Sequence, residues 1–323
     1  MAVVVVAVAA ADGDGNQEPM NMKTTNLLMG PALVVIRAGA LIVACAAAPW
    51  ALAQQAFPTP QAAADALVDG IARHDDGAIK SVVGADYRKY IPAGSVDSTD
   101  VTNFLAAWAA AHGIQQDGAD KAFLQAGKHG WTLPIPIVKT AAGWAFDTKG
   151  APDEMRKRRI GRNELAAIQV ALAYTDAQEE YYAKNPDRQG VPHFAMRALS
   201  SPGKRDGLYW ASLPGEAESP LGPDFADAKR GQAYHGYLYR VLTAQGKDAP
   251  GGAKSYVRNG RMTDGYALVA WPERWNDTGV MTFIVSRDGV VYQKNLGPGT
   301  DAAARAVTVF NPDSGWEKVA PAK

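Results

Sequence analysis

A stretch with helical spacing, followed by a run of short strands, constrains the fold of this chain more than any other feature. Residues 164–183 place apolar side chains at helical spacing, and alanines keep much of that helix thin. Four short segments rich in valine and aromatic residues follow between residues 234 and 295, and an Arg-Asp-Gly turn at 287–289 joins the last two. A thin helix can lie close against a sheet, so the sequence predicts one long helix packed on an antiparallel β-meander.

The start of this helix carries a predicted break. Asp153 and Glu154 begin a short helix, where the helix dipole favours acidic side chains. Gly161 follows, and because glycine has low helix propensity we expect it to interrupt that helix. Asn163 and Glu164 then begin the longer helix.

The length of the chain favours two modules. Single hydrophobic cores stop growing near ~250 residues, and this chain has 323 residues, of which 47% are hydrophobic. In residues 54–150 the pattern predicts three helices, beginning near residues 60, 76 and 98, and then a β-hairpin after Gly130. We therefore expect an α+β protein, in which a helical module with a small β-hairpin sheet precedes the long helix and meander of residues 151–323.

Residues 1–53 have the pattern of a leader segment whose start is mis-called. Residues 1–19 lack a basic residue before their apolar run, whereas Lys23 and Arg37 precede the apolar stretch that ends with Ala-Leu-Ala at 51–53. Two small residues separated by one other form the site that signal peptidase cleaves. The sequence predicts removal of this segment, export to the periplasm, and no transmembrane anchor after processing.

The cysteine content agrees with export. Cys45 is the single cysteine of the chain and lies inside the leader, so cleavage after Ala53 leaves no thiol for a disulfide, a metal site or a nucleophile. The alternative takes residues 42–45 as a lipobox, which would make Cys45 the lipid-bearing first residue of a lipoprotein. Both alternatives place the protein outside the cytoplasm.

The charge balance argues against one class of partner. The chain has 33 basic and 33 acidic residues, so no summed field draws the whole protein to nucleic acid. We expect no nucleic-acid partner. An envelope protein, or an anionic or glycan ligand, is the predicted kind of partner.

Several motifs occur in the order that is typical of one bacterial family. They include RRIGRNELAAIQ at 158–169, YHGYLYRVLTAQG at 234–246 and GVMTFIVSRDGVVYQKNLG at 279–297. Over most of the mature chain the sequence closely resembles the exported bacterial proteins grouped as domain of unknown function 2950. This resemblance implies an exported protein and implies no activity.

A second resemblance concerns the fold of the second module. The helix of residues 163–182, an irregular stretch, and the strands GYLYRVL, GYALVAWP and GVMTFIVSRDGVV are similar to the helix and sheet of type II secretion pseudopilins and related pilin-like domains. In pilins that helix continues an N-terminal membrane segment, whereas here about a hundred residues intervene. The resemblance implies a pilin-like fold and leaves filament assembly open.

A cluster of cations precedes the long helix, and we call it the cationic cluster. It consists of Arg156, Lys157, Arg158, Arg159 and Arg162. One interpretation is a structural joint, in which Arg159 and Arg162 pair with acids such as Glu164 or Asp147 and lock the second module onto the first. The other is an anion site at the seam between the modules, with Asn163 beside it, because arginine forks suit carboxylates and phosphates.

Aromatic residues supply a second candidate binding site. Tyr209 and Trp210, with Tyr234, His235, Tyr237 and Tyr239, could line a groove that stacks on sugars or peptide. In an alternating strand, however, His235, Tyr237 and Tyr239 share one face, which is also the pattern of an ordinary core side.

Metal and catalytic motifs are incomplete throughout the sequence. HExxH, GxSxG and GxxxxGK[ST] do not occur, and the five histidines are scattered singly. Asn185 and Asp187 mimic the first half of a calcium loop, but Met196 occupies the position of its closing glutamate, so they form a weak calcium candidate. The sequence predicts no other metal site and no cofactor.

These observations favour a non-enzymatic binding or scaffolding protein of the cell envelope. Two alternatives stay open. The first is a hydrolase-type enzyme with a site at the module seam, for which His235, Arg162 and Glu164 are the first residues to test, and which requires a pocket that gathers His235 with a carboxylate. The second is a pilin-like subunit of a secretion or filament assembly, which requires an exposed apolar face on the helix of residues 164–183.

Overall fold

The computed structural model describes residues 54–320 except 93, 95, 188, 189 and 214. The chain divides into two compact units between Met155 and Arg156, five residues after the predicted boundary. In the described residues no helix combines the length and the apolar character that crossing a membrane requires. The predicted leader at residues 1–53 lies outside the described residues.

In its described residues, the first unit starts with three helices whose first turns are capped by side chains. They are α1 (Pro60–Ala72), α2 (Asp76–Val83) and α3 (Ser98–Ala110), and a 3₁₀ turn at Ala85–Lys89 follows α2. Thr59 caps α1 and Asp75 caps α2, each accepting a hydrogen bond from a backbone N–H of the first turn. Asp97 is the N-cap of α3 and forms a reciprocal capping box with Asp100, so this helix begins at the predicted position near residue 98.

The sheet of the first unit is antiparallel and has five strands. They are β1 (His112–Gln116), β2 (Lys121–Ala126), β3 (Trp131–Thr132), β4 (Ile137–Thr140) and β5 (Gly143–Phe146), in the order β1-β2-β4-β5 with β3 also on β2. The predicted hairpin is present as β4 and β5. The prediction missed β1 and β2, because the polar residues of HGIQQ and the lysine that begins KAFLQA hide the alternation on which strand prediction depends.

The long helix is continuous, contrary to the predicted interruption at Gly161. It is α4, Ala151–Lys184, with 34 residues. A glycine inside a helix costs only about 1 kcal/mol. Hydrogen bonds between the loop at 277–281 and the helix residues Arg159 and Asn163, which donate, and Glu164, which accepts, hold this part of the helix in place. Tertiary contacts therefore override the local propensity.

The second unit contains the predicted meander as a five-stranded antiparallel sheet. Its strands are β6 (Tyr237–Leu242), β11 (Ala267–Pro272), β12 (Met281–Ser286), β13 (Tyr292–Asn295) and β14 (Glu317–Lys318), in the order β14-β13-β12-β11-β6. Two small ribbons join β6 to β11, formed by β7 (Ala244–Gln245) with β8 (Lys254–Ser255) and by β9 (Val257–Arg258) with β10 (Arg261–Met262). A short helix, α5 (Thr300–Ala306), follows β13.

Small side chains let α4 approach this sheet closely, as predicted. Ala167, Ala171 and Ala177 are buried in the core of the second unit. The Tyr174 hydroxyl, one helical turn further along the same face, donates to the carbonyl oxygen of Ala267 on β11 at 3.2 Å. The Tyr266 hydroxyl donates back to the carbonyl oxygen of Thr175 at 3.1 Å. The class is thus α+β, with one long helix on a β-meander.

Candidate functional site

The turn that leads into β6 is a two-residue turn and not the predicted start of a strand. His235 and Gly236 have φ of 50° and 73°, which is the geometry of a type I′ hairpin turn. The prediction that His235 shares a strand face with Tyr237 and Tyr239 is therefore wrong, because His235 lies outside β6 and its side chain is exposed. In this turn the backbone N–H and C=O of Tyr237 both bond with Tyr234.

This turn fixes the direction in which the backbone of β6 presents its hydrogen-bonding groups. In an antiparallel strand the N–H and C=O of one residue point to the same side, and successive residues alternate. The backbone N–H and C=O of Tyr237 point away from β11, where the paired residue Pro272 has no N–H to donate. The backbone N–H and C=O groups of Tyr239 and Val241 must therefore also point away from β11, towards the outer edge of the sheet.

The outer edge of β6 is open over a short stretch. β6 is the last strand in its sheet. At one end Tyr237 is bonded to Tyr234, and at the other the carbonyl oxygen of Thr243 accepts from Tyr256 N–H at 2.8 Å. Between these points, in the part of the chain that the structure describes, the outward backbone groups of Tyr239 and Val241 have no backbone partner.

The segment before the turn diverges from β6 and leaves a groove. We call residues 228–234 the arm. After the single pair Tyr234–Tyr237, the described structure contains no hydrogen bond between the rest of the arm and β6. Arm and strand together line a cavity of about 440 Å³, which we call the edge groove.

The edge groove reaches both faces of the sheet at its edge. Tyr239 and Val241 line it on the face that packs against α4, together with Tyr174 of that helix. Arg240 of β6 and Trp271 of β11 line it on the opposite face, since alternate residues of a strand point to opposite sides. The groove therefore follows the edge of β6.

Five cationic side chains line the edge groove, and none of its lining residues is an aspartate or a glutamate. The cations are Arg197, Lys229, Arg230, Arg240 and Arg305. Arg197 pairs with Asp206 at 3.4 Å, and Arg305 pairs with Asp301 at 2.9 Å. The charges of Arg197 and Arg305 are therefore balanced by carboxylates that do not line the groove.

The remaining three cations have no carboxylate partner among the described residues. Both Nη atoms of Arg240 donate to carbonyl oxygens at the end of α5, those of Arg305 and Ala304, at 3.0 Å each. Arg230 Nη2 donates to the carbonyl oxygen of Leu199 at 3.1 Å. Lys229 is exposed on the arm. Carbonyl oxygens orient a guanidinium without cancelling its charge, so the groove keeps a net positive charge.

Two aromatic side chains complete the edge groove. The hydroxyl oxygen of Tyr239 is buried and has no hydrogen-bond partner in the described structure, and burial raises the pKa of this hydroxyl. Trp271 donates its indole N–H to Asp301 at 3.0 Å. The guanidinium groups of Arg240 and Arg305 each lie 5.8 Å from the Trp271 ring centroid. A buried hydroxyl without a partner is uncommon in folded proteins.

Residues of the cationic cluster bond to a loop of their own unit. Arg159 forms an ion pair with the Asp277 carboxylate, and its Nε donates to the Asp277 carbonyl oxygen at 3.2 Å. The sequence predicted Glu164 or Asp147 as the partner of Arg159. The partner in the structure is Asp277, which is distant in sequence and is brought close by the fold. The predicted lock between the two modules stays a prediction.

Asn163 and Glu164 extend the same contact. Asn163 Nδ2 donates to the carbonyl oxygen of Thr278 at 2.9 Å. Glu164 Oε1 accepts from the backbone N–H groups of Val280 at 2.8 Å and Met281 at 3.0 Å. We call these bonds, with the Arg159 pair, the helix latch. They explain the polar residues at the start of the predicted helix as structural anchors.

Arg162 does not take part in the latch. Its side chain is exposed, and partial burial, followed by the neighbouring cations Arg158 and Arg159, lowers the pKa of its guanidinium. Burial and the repulsion from these two positive charges both disfavour the charged form of Arg162.

The predicted aromatic site residues lie in different environments. Tyr237 is buried and donates its hydroxyl to the carbonyl oxygen of Met281 at 2.9 Å. Tyr209 and Trp210 are partly buried against the core of the second unit. Of the predicted groove aromatics, Tyr234 and Tyr239 line the edge groove, whereas Tyr209, Trp210, His235 and Tyr237 and the predicted residues of the cationic cluster do not. Sequence reasoning missed Arg240 and the arm cations, and the one signal was the cationic residue inside an otherwise apolar strand.

The weak calcium candidate has other partners. The Asn185 side-chain amide donates to the carbonyl oxygen of Gly190 at 3.1 Å, and Asp187 pairs with His193 at 3.1 Å. Within the described residues no group of three or more histidine, cysteine, aspartate or glutamate side chains could hold a metal ion. The calcium site stays a prediction.

The fold and the groove define an α+β protein whose helix-backed sheet ends in an open, cationic edge. By sequence, the chain belongs to the family described as protein of unknown function (DUF2950), whose model matches residues 54–319. No curated protein matches the chain, and no solved structure matches it.

Proposed function

We propose that this protein is an exported, non-catalytic binding protein of the cell envelope, and that the edge groove is its binding site. The partner carries negative charge next to an apolar or aromatic group. Export is supported by the leader pattern of residues 1–53 and by the resemblance to exported proteins.

One observation carries the proposal: the edge groove has unbalanced positive charge. Lys229, Arg230 and Arg240 line it without a carboxylate partner in the described structure. An anion would supply the missing countercharge through charge-assisted hydrogen bonds, which are stronger than neutral ones. The Tyr174, Tyr239 and Trp271 rings beside these cations favour an apolar or aromatic group next to that charge.

The requirements of the two alternatives receive no support from the described residues. For the hydrolase, His235 lies in an exposed turn that does not line the edge groove, and the Glu164 carboxylate is engaged with backbone N–H groups. For the filament subunit, Leu165 is the large apolar side chain of α4 that is exposed, at 64%. A single exposed leucine is not an apolar face.

Titration of the purified protein with anilinonaphthalene sulfonate, an aromatic anion, tests the proposal. We expect saturable binding that weakens as the salt concentration rises, because salt screens exposed charges. The indole N–H signal of Trp271 should shift in a two-dimensional amide NMR spectrum. The signal of Trp275, whose indole donates to Asn295 outside the groove, should not shift.

A charge variant with a matched control locates the site. The double variant Lys229→Ala/Arg230→Ala should weaken the affinity roughly tenfold, since two exposed charges contribute up to about 1 kcal/mol each. Lys247→Ala removes an exposed lysine of the same unit that does not line the groove, and should leave the affinity unchanged. Equal affinities in the double variant and the control would overturn the proposal.

A further inference from the structure

We propose that the open edge of β6 binds an extended, acidic polypeptide segment of another protein as an additional antiparallel or parallel strand. This rests on the proposed function and names the partner class of the same groove. The strand would lie between β6 and the arm.

The backbone of β6 supplies the first argument. An edge strand with free N–H and C=O groups is a template for another strand, and strand addition is a common mode of peptide recognition. In the described structure Tyr239 and Val241 hold such groups, and the Tyr234–Tyr237 pair and the Thr243–Tyr256 bond close the stretch at its two ends. The free stretch, Leu238–Leu242, suits a segment of about five residues.

The two-sided shape of the edge groove supplies the second argument. Side chains of an added strand alternate between the two faces of the sheet. On one face they would meet Tyr174 and Tyr239, and on the other they would meet Arg240 and Trp271. A pocket confined to one face would suit a small molecule better than a strand. A groove that takes in both faces at the edge suits alternating side chains.

Charge supplies the third argument, and it selects the kind of segment. Lys229 and Arg230 on the arm and Arg240 on the strand would flank the inserted segment on two sides. Acidic residues at alternate positions would face Arg240 and its neighbours, and apolar or aromatic residues at the positions between them would face the tyrosines. Among the acids around the groove, Asp206 and Asp301 pair with Arg197 and Arg305. Burial, and then Asp224 and Asp227 in the segment preceding the arm, raise the pKa of Tyr234.

Backbone-methylated peptides separate strand addition from simple charge attraction. The probe is a fluorescein-labelled peptide of seven residues that alternates glutamate and valine, and fluorescence anisotropy measures its affinity. One analogue carries N-methyl groups on the glutamates and another carries them on the valines. A strand presents the N–H groups of alternate residues to one neighbour, so we expect one analogue to lose at least tenfold in affinity and the other to bind like the parent peptide.

Hydrogen exchange places the bound peptide on β6. Binding should slow amide exchange at Tyr239 and Val241, whose N–H groups point outward. It should leave Leu238 and Arg240 unchanged, because their N–H groups point to β11. This readout uses the unaltered protein and does not depend on a variant that folds.

The outcomes distinguish this inference from the proposed function. If both methylated analogues bind like the parent peptide, or if the peptide fails to bind while anilinonaphthalene sulfonate does, strand addition is overturned and anion binding in the groove stands. If neither probe binds, both proposals fail. Dimerisation of the protein through β6, measured by light scattering without peptide, would replace the foreign segment with a second copy of the chain and also overturn the inference.

Discussion

The two units each contain a groove of similar size, and they differ in how their charges are balanced. The groove of the first unit has a volume of about 380 Å³ and is lined mainly by apolar side chains of α1, α2, α3 and the neighbouring sheet. Of its two acids, Asp76 is balanced by Lys80 at 2.6 Å and Arg88 at 3.2 Å and accepts from the Tyr87 hydroxyl at 2.5 Å, and Asp100 accepts from the backbone N–H of Asp97 at 3.2 Å. In the edge groove three cations and one buried hydroxyl lack such partners among the described residues.

This difference shows that volume does not distinguish a binding site from a packing gap. Both cavities are within the size range of small-ligand pockets, roughly 300–1,000 Å³. What separates them is countercharge: Arg230 and Arg240 donate to carbonyl oxygens but have no carboxylate partner in the described structure, and like charges held close together repel each other. Substitutions can alter both the backbone position of β6 and the charges around Asp76.

The largest effect is expected from Gly279→Ala, which displaces the start of β6. A methyl group at this position would collide with the ring and hydroxyl of buried Tyr237, the first residue of β6. Relief of such a collision costs about 1–3 kcal/mol and shifts the backbone. Chemical denaturation should show this loss of unfolding free energy, together with weaker binding in the edge groove. Unchanged stability would mean that Tyr237 can move freely and that the edge is not rigid.

The next effect is expected from the helix latch. Glu164→Ala leaves the N–H groups of Val280 and Met281 without their acceptor, and should lower the free energy of unfolding by about 2 kcal/mol. Arg162→Ala is the matched control in the same part of α4, because Arg162 is exposed and has no hydrogen bond or ion pair in the described structure. Equal losses in the two variants would show that the bonds of Glu164 contribute nothing specific to the stability of the second unit.

A smaller effect of opposite sign is expected from Gly161→Ala. This glycine lies inside α4 with open space around its α-carbon, so an alanine meets no neighbour. Replacement of glycine by alanine inside a helix should raise the free energy of unfolding by roughly 0.5–1 kcal/mol. The same substitution thus has opposite results at Gly161 and Gly279. A loss of stability at Gly161 would indicate that the glycine serves a contact or motion that the structure does not show.

The smallest effect concerns the first unit and its dependence on pH. Hydrogen bonds from Lys80 and then from Tyr87 and Arg88 hold the pKa of Asp76 well below its usual range. A carboxyl whose pKa is lowered by folding contributes stability above the unfolded pKa of about 3.9, and this contribution is lost as the pH falls towards the folded pKa.

Asp76→Asn should therefore make the melting temperature less dependent on pH below about 4. The difference between wild type and variant should be largest at neutral pH and shrink in acid. A parallel pH dependence in both proteins would show that Asp76 is not the balanced acid of the first groove.

Part of the architecture could be predicted from local pattern and part could not. The spacing of α4, its alanines and the alternation in β11 and β12 reflect which side chains face a core, and that information is written locally. The polar strand β1 and the continuity of α4 through Gly161 could not be predicted in this way, because in each case contacts with distant residues outweigh the local preference.

The sequence by itself determined the class of this protein: an α+β chain with one thin helix on a meander, because hydrophobic periodicity and small residues specify which faces are buried. Only the tertiary structure decided that Arg159 meets Asp277, that His235 turns the chain, and that Arg240, Lys229 and Tyr239 share one groove. The physical reason is that charge balance depends on which distant groups come within a few ångströms of each other. Neither spacing along the chain nor residue type records that distance.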